Sequence, residues 1–163
     1  MASALIALGG NVGDVRATFQ KAISHVCGMT QAALVARSSD YSTPPWGDEE
    51  QQSFINACIE IETSLDPHAL LFCLHKVETR FGRDRSKERR WGPRSLDLDL
   101  IAYDDVKLDK PELTLPHPRL FGRAFVLVPL AEIAPDRVIA GRSVRDALAS
   151  VSSEGILRLP DLG

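Results

Sequence analysis

Asp97 and Asp99 are the residues of this chain best placed to do chemistry. They stand in the run Trp91-Gly92-Pro93-Arg94-Ser95-Leu96-Asp97-Leu98-Asp99-Leu100, where three leucines alternate with Ser95 and the two carboxylates. Such alternation predicts a strand with one buried face, so Asp97 and Asp99 project together with Cα atoms roughly 6.5 Å apart. Two carboxylates held that way repel each other unless cations sit between them. A pair of Mg²⁺ ions about 3.5–4 Å apart, clamping the oxygens of a phosphoryl transfer, suits the spacing. A solvated strand face is the plainer alternative.

The residues just before this run favour the chemical reading. Arg80, Arg83, Arg85, Lys87, Arg89, Arg90 and Arg94 crowd into one short segment of a chain whose net charge is −3. The cluster is therefore local and not a general basicity. Guanidinium groups present planar forks of donors that match phosphate oxygens. A cationic segment leading into a two-carboxylate strand is what a metal-assisted nucleotide site needs. Asp84 and Glu88 interrupt the positive charge, as they would in a merely solvated run.

These side chains need elements to position them. At 163 residues, 44% hydrophobic and 25% charged, the chain has the size and composition of one soluble domain spanning 1–163. No apolar run approaches a membrane span, and the start lacks the basic region and cleavage site of a secretory signal. A cytoplasmic location follows as the expectation. Cys27, Cys58 and Cys73 are odd in number and widely spaced, which suits buried free thiols.

Ala4 to Leu8 predicts a buried first strand ending at Gly9-Gly10. Asp14 caps a helix whose apolar residues Val15, Phe19, Ala22, Ile23 and Val26 keep the helical period, with an expected end near Gly28. Residues 33–42 read as a second strand, followed by an irregular loop at Thr43-Pro44-Pro45-Trp46-Gly47. Alternation from Ile55 to Ile61 gives a third strand. Asp66-Pro67 opens a second helix with the stripe Leu70, Leu71, Leu74, Val77 and Phe81, ending at Gly82. Ser95 to Tyr103 is the fourth strand. The order β-α-β-β-α-β predicts an α+β fold of the ferredoxin-like, split βαβ kind. Beyond it come C-terminal additions: extended segments, a helix over Arg123 to Ile133 and a short one over Val144 to Ala149, with Pro129 as a kink or early stop.

Further candidates are weaker in isolation. Gly9-Gly10-Asn11-Val12-Gly13 suits either close backbone approach to a ligand or a tight turn. His117, between Pro116 and Pro118, could present an imidazole, with Arg119 and Arg123 nearby as phosphate donors. Glu78 lies off the apolar stripe of its helix, as a surface carboxylate would. A ferredoxin-like RNA-binding module is disfavoured by the negative net charge, by the 6% aromatic content and by the lack of an RNP-like run. A nucleotidyltransferase is the other two-metal alternative. It would release diphosphate, and not AMP, from ATP.

Five runs occur in order: Ala-Leu-Gly-Gly-Asn from Ala7, Ser-Thr-Pro-Pro-Trp-Gly from Ser42, Phe-Ile-Asn-Ala from Phe54, Arg-Trp-Gly-Pro-Arg-Ser-Leu-Asp-Leu-Asp-Leu from Arg90, and Leu-Pro-His-Pro-Arg-Leu from Leu115. With them the chain resembles the 6-hydroxymethyl-7,8-dihydropterin pyrophosphokinases from about Ala4 to Pro135. The resemblance implies transfer of the β,γ-diphosphate of ATP to the pterin hydroxymethyl group, with release of AMP. It implies two Mg²⁺ ions held by Asp97 and Asp99, ATP as co-substrate, and a monomer that acts on small molecules without nucleic acid or membrane.

The same resemblance assigns roles by position. Arg83 and Arg94 match arginines that engage substrate or triphosphate, and Trp91 shares their segment, where it would meet both substrates. Arg85, Glu78, His117 and Arg123 fall on the ATP side. Asn56 matches the amide that bonds the pterin edge, assisted by backbone groups of Thr43, Pro44 and Trp46. Phe54 and Phe125 match an aromatic pair that stacks on the pterin, and Asp97 would assist proton removal from its hydroxyl. Pro118 stands where some relatives carry tyrosine, and Phe54 where some do.

Overall fold

The computed structural model of this chain describes residues 1–43, 52–82 and 95–162. Strand β1 (Ala2–Gly10) leads into helix α1 (Val15–Thr30), strands β2 (Ala33–Arg37), β3 (Tyr41–Thr43) and β4 (Phe54–Thr63), helix α2 (Pro67–Arg80) and strand β5 (Asp97–Tyr103). Two short pairs follow on either side of helix α3 (Ala124–Ile133): β6 (Leu108–Asp109) with β7 (Thr114–Leu115), and β8 (Val138–Ile139) with β9 (Arg142–Ser143). Helix α4 (Val144–Ala149) and strand β10 (Leu157–Arg158) complete the chain.

All pairings in the main sheet are antiparallel, in the order β10-β3-β4-β1-β5, with β2 also on β4. The expected second strand is in fact two. β2 lies against the C-terminal half of β4 and β3 against its N-terminal half. Residues 38–40 break the run between them, because Ser38 turns its hydroxyl to accept the Cys58 N–H (2.9 Å) and Asp40 is drawn into ion pairs.

Local chemistry sets the helix starts. Asp14 and Asp66 each accept a backbone N–H three residues on, from Ala17 (3.1 Å) and Ala69 (2.9 Å), and Pro67 fills the first helical position. The first helix does not stop at Gly28. It runs to Thr30, whose hydroxyl donates to the Val26 carbonyl, and ends where Gln31 takes a left-handed conformation (φ 50°). Helix α3 passes through Pro129 without ending.

Two cores sandwich the sheet. Helices α1 and α2 bury Phe19, Val26, Leu70 and Leu74 against Ile6, Leu8, Ile59, Leu98 and Leu100. Helices α3 and α4 bury Leu127, Leu130, Val144 and Ala147 against Leu5, Ala7, Cys58 and Ile101. Burying Leu98 and Leu100 in the first core stabilises β5 by about 1.5–3 kcal/mol each. Period-two geometry then turns Asp97 and Asp99 to the other face. The three cysteines are free, and no helix among the described residues is long and apolar enough to cross a membrane.

Candidate active site

The site lies on the sheet face that carries α3, at the end beyond the cover of that helix. Register assembles its floor. Gly9 of β1 stands opposite Asn56 of β4 on one side and Asp97 of β5 on the other. Two residues back along β1, Ala7 stands between Cys58 and Asp99. Asn56, Gly9 and Asp97 therefore form one row across three strands, with Asp99 in the next row of the same face.

Glycine at position 9 keeps that row open. A Cβ there would lie 3.1 Å from the Asn56 Nδ2 and 3.9 Å from the Asp97 Cβ. At Gly10 a Cβ would come within 2.7 Å of the Ser95 carbonyl oxygen, so the second glycine lets β1 meet the chain entering β5. The tight turn belongs to Gly13, at φ 71°. Gly9→Ala should therefore displace the Asn56 amide by a few tenths of an ångström. The KM for a ligand bound by that amide should rise severalfold with little change in melting temperature, which steady-state kinetics and a thermal melt would check.

Asn56 is buried at 8% exposure, and its Oδ1 accepts the Thr43 hydroxyl at 2.9 Å. That bond fixes which way the amide faces: the carbonyl oxygen lies toward β3 and the NH₂ group toward Gly9. Thr43 thus bears on the row through its side chain. Phe54, opposite Thr43, is half-buried at the start of β4, two residues before Asn56 on the same face.

The carboxylate side is built around β5. Asp97 is half-buried, and Asp99 exposes 44% of its side chain. Arg123, just before α3, brings Nη1 to 3.9 Å from the Asp99 Oδ2 and lies over the Phe125 ring, 5.7 Å from its centroid. Hard oxygen donors projecting from one face of one strand fit Mg²⁺ in both charge and chemistry.

His117 is placed by a bulge. Leu5 pairs with Ala102 and Ile6 with Leu100, leaving Ile101 as the extra residue, and its carbonyl accepts the His117 N–H at 2.8 Å. The His117 Nδ1 accepts the Arg119 N–H (3.2 Å), so the ring proton sits on Nε2. Burial pushes the imidazole pKa below its usual value, against the pull of Asp99 and with the help of Arg123 and Arg119. The ring is a neutral N–H donor at neutral pH.

Glu78 is not a surface carboxylate. It is 1% exposed, and its Oε2 accepts the backbone N–H of Leu98, the residue between the two aspartates, at 2.8 Å. Ser95 donates its hydroxyl to the Phe81 carbonyl (2.8 Å), which ties together the residues bordering 83–94. The buried Asn11 amide donates to the Gln52 carbonyl (3.1 Å) beside the other border, that of 44–51. Pro44, Trp46, Arg83, Arg85, Trp91 and Arg94 lie outside the described residues.

Comparison with known proteins converges on one family. The family model described as 7,8-dihydro-6-hydroxymethylpterin-pyrophosphokinase (HPPK) matches residues 5–135. The chain belongs to the HPPK family. Among curated members, a 2-amino-4-hydroxy-6-hydroxymethyldihydropteridine pyrophosphokinase of Methylorubrum extorquens is 48% identical over 98% of this chain and 99% of its own length. The enzyme of that name from Pseudomonas aeruginosa is 41% identical over 95% of each chain. Among solved structures, an HPPK-DHPS in complex with substrates superposes with a TM-score of 0.69 at 13% identity, covering 91% of this chain and 43% of that one. At that identity the likeness concerns the fold, a mixed helix and antiparallel-sheet architecture shared with HPPK domains. As an HPPK family member the chain is a pyrophosphokinase, and the two carboxylates, His117, Arg123 and Asn56 lie on the part of the chain that the family model covers.

Proposed function

We propose that this chain transfers the β,γ-diphosphate of ATP to 6-hydroxymethyl-7,8-dihydropterin, giving AMP and the pterin diphosphate needed for folate synthesis. The observation that carries the reading is the row Asn56-Gly9-Asp97 with Asp99 beside it. An amide able to read a heterocycle edge and a carboxylate pair able to hold metal share one sheet face. The sheet order β3-β4-β1-β5, with α1 linking β1 to β2, supports a ferredoxin-like description in which β2 and β3 form one broken strand. In this reading one domain works as a monomer in the cytoplasm on small molecules, without nucleic acid or membrane.

Two Mg²⁺ ions bound by Asp97 and Asp99 would supply charge neutralisation for the ATP oxygens. The chain's own residues do the rest. The Asn56 NH₂ group and the backbone of Thr43, with Pro44 and Trp46, hold the pterin edge, while Phe54 and Phe125 stack on its ring. Asp97 accepts the proton of the hydroxymethyl group as its oxygen forms a bond to the β-phosphorus. The bond from that phosphorus to the α-phosphate oxygen breaks, and AMP leaves. Arg123 and the neutral Nε2–H of His117 donate to phosphate oxygens, as Arg83, Arg85, Trp91 and Arg94 do from their segment. Positioning and charge stabilisation carry most of such a reaction.

Chromatography of a mixture of chain, ATP, Mg²⁺ and 6-hydroxymethyl-7,8-dihydropterin tests this. AMP and a pterin diphosphate should appear only in the complete mixture. ADP or free diphosphate as the nucleotide-derived product would overturn the proposal.

A further inference from the structure

We propose that Asp40 is a positioning residue for the pterin-binding edge, acting with the C-terminal strand to hold β3 so that Thr43 aims the Asn56 amide. The inference rests on the reading of Asn56 given above. Asp40 is 3% exposed and lies in the break between β2 and β3, far from the carboxylate pair in the sheet order. Its Oδ2 accepts from the Arg16 Nε of α1 (2.9 Å), and its Oδ1 accepts from the Arg37 Nη1 of β2 (3.1 Å). The Arg16 guanidinium also donates to the Pro160 carbonyl, so one side chain clamps the break and the chain's end together.

The C-terminal segment grips the same residues. Leu157 and Arg158 pair with Ser42 and Tyr41, the Leu159 N–H donates to the Asp40 carbonyl (2.9 Å), and the Arg158 Nε donates to the Ser39 hydroxyl (2.9 Å). From α3, Glu132 accepts the Ser39 N–H (2.9 Å) and the Tyr41 hydroxyl (2.6 Å). The surrounding cleft, about 370 Å³, is lined by polar side chains apart from Leu162, so hydrogen bonds and ion pairs reinforce this link beside the burial of Tyr41. The position matters because β3, among the described residues, comprises only Tyr41–Thr43, and the Thr43 hydroxyl sets the Asn56 amide. A shift of β3 would turn that amide and leave the carboxylate side of the site in place.

The test is a pair of variants, Asp40→Asn and a chain ending at Gly155, assayed with ATP and 6-hydroxymethyl-7,8-dihydropterin. The expected result is a pterin KM raised roughly tenfold or more in both, with the ATP KM and saturating kcat within about twofold of wild type. Unchanged pterin KM in both variants, or an equal rise in both KM values, would overturn the proposal, as would failure of both to fold. A wild-type chain that makes no pterin diphosphate would instead remove the reading on which it rests.

Discussion

Alanine at Asp97 or at Asp99 should lower turnover by about three orders of magnitude, roughly 4 kcal/mol of transition-state stabilisation, while the chain still folds. The packing argues for this separation of activity from stability. Leu98 and Leu100 hold β5 in the core on one face, and the aspartates leave from the other. Asp99 is nearly half exposed, so its truncation opens no cavity, and Asp97 looks across a glycine. Melting temperature should therefore move by no more than a few degrees in either direction. The Mg²⁺ concentration needed for half-maximal rate should rise in both variants if the carboxylates hold the metal. Near-normal turnover in both, measured beside a thermal melt, would remove the two-metal proposal.

How much of this was legible in the sequence depends on the range of the forces involved. Asp14, Asp66-Pro67 and the alternation in β4 and β5 act within a few residues, and each element appears on its pattern, except that β5 starts at Asp97 and not at Ser95, whose hydroxyl is turned to the Phe81 carbonyl. Helix α1 runs past the stop expected at Gly28 because a glycine favours a stop only when nothing further on competes. Here Val26 lies in the core and the Thr30 hydroxyl extends the last turn. The break between β2 and β3 is only faintly marked locally, by Ser38-Ser39-Asp40 and the Arg37–Asp40 pair. It also depends on contacts distant in sequence, Asp40 with Arg16 24 residues earlier and Ser38 with Cys58. Beyond Pro135 the chain carries no motif, yet it supplies Ile139, Val144 and Ala147 to the second core and a strand to the sheet edge. The opposition of Asn56, Gly9 and Asp97 likewise comes from strand register, which no single segment specifies.

Glu78 shows what such hidden placement can do, and its substitution should move stability and activity together. Glu78→Leu keeps an apolar body at the end of α2 but leaves the Leu98 N–H without its acceptor. A buried, unsatisfied N–H costs about 1–3 kcal/mol. In a chain of this size that is a fall of roughly 4–8 °C in melting temperature for about 2 kcal/mol. Leu98 lies between the two aspartates, so the same loss lets their strand shift, and a displacement near 1 Å can cost on the order of 10²-fold in turnover. Glu78→Gln separates geometry from charge, since its Oε1 can still accept from Leu98 in the place that Oε2 now holds at 2.8 Å. If Glu78 acts by holding the strand, glutamine should restore most of the melting temperature and most of the turnover. If its charge serves the ATP side directly, glutamine should restore the melting temperature while turnover stays low. Thermal melts and kcat on the two variants distinguish a strut from a ligand contact, a distinction that burial alone does not draw.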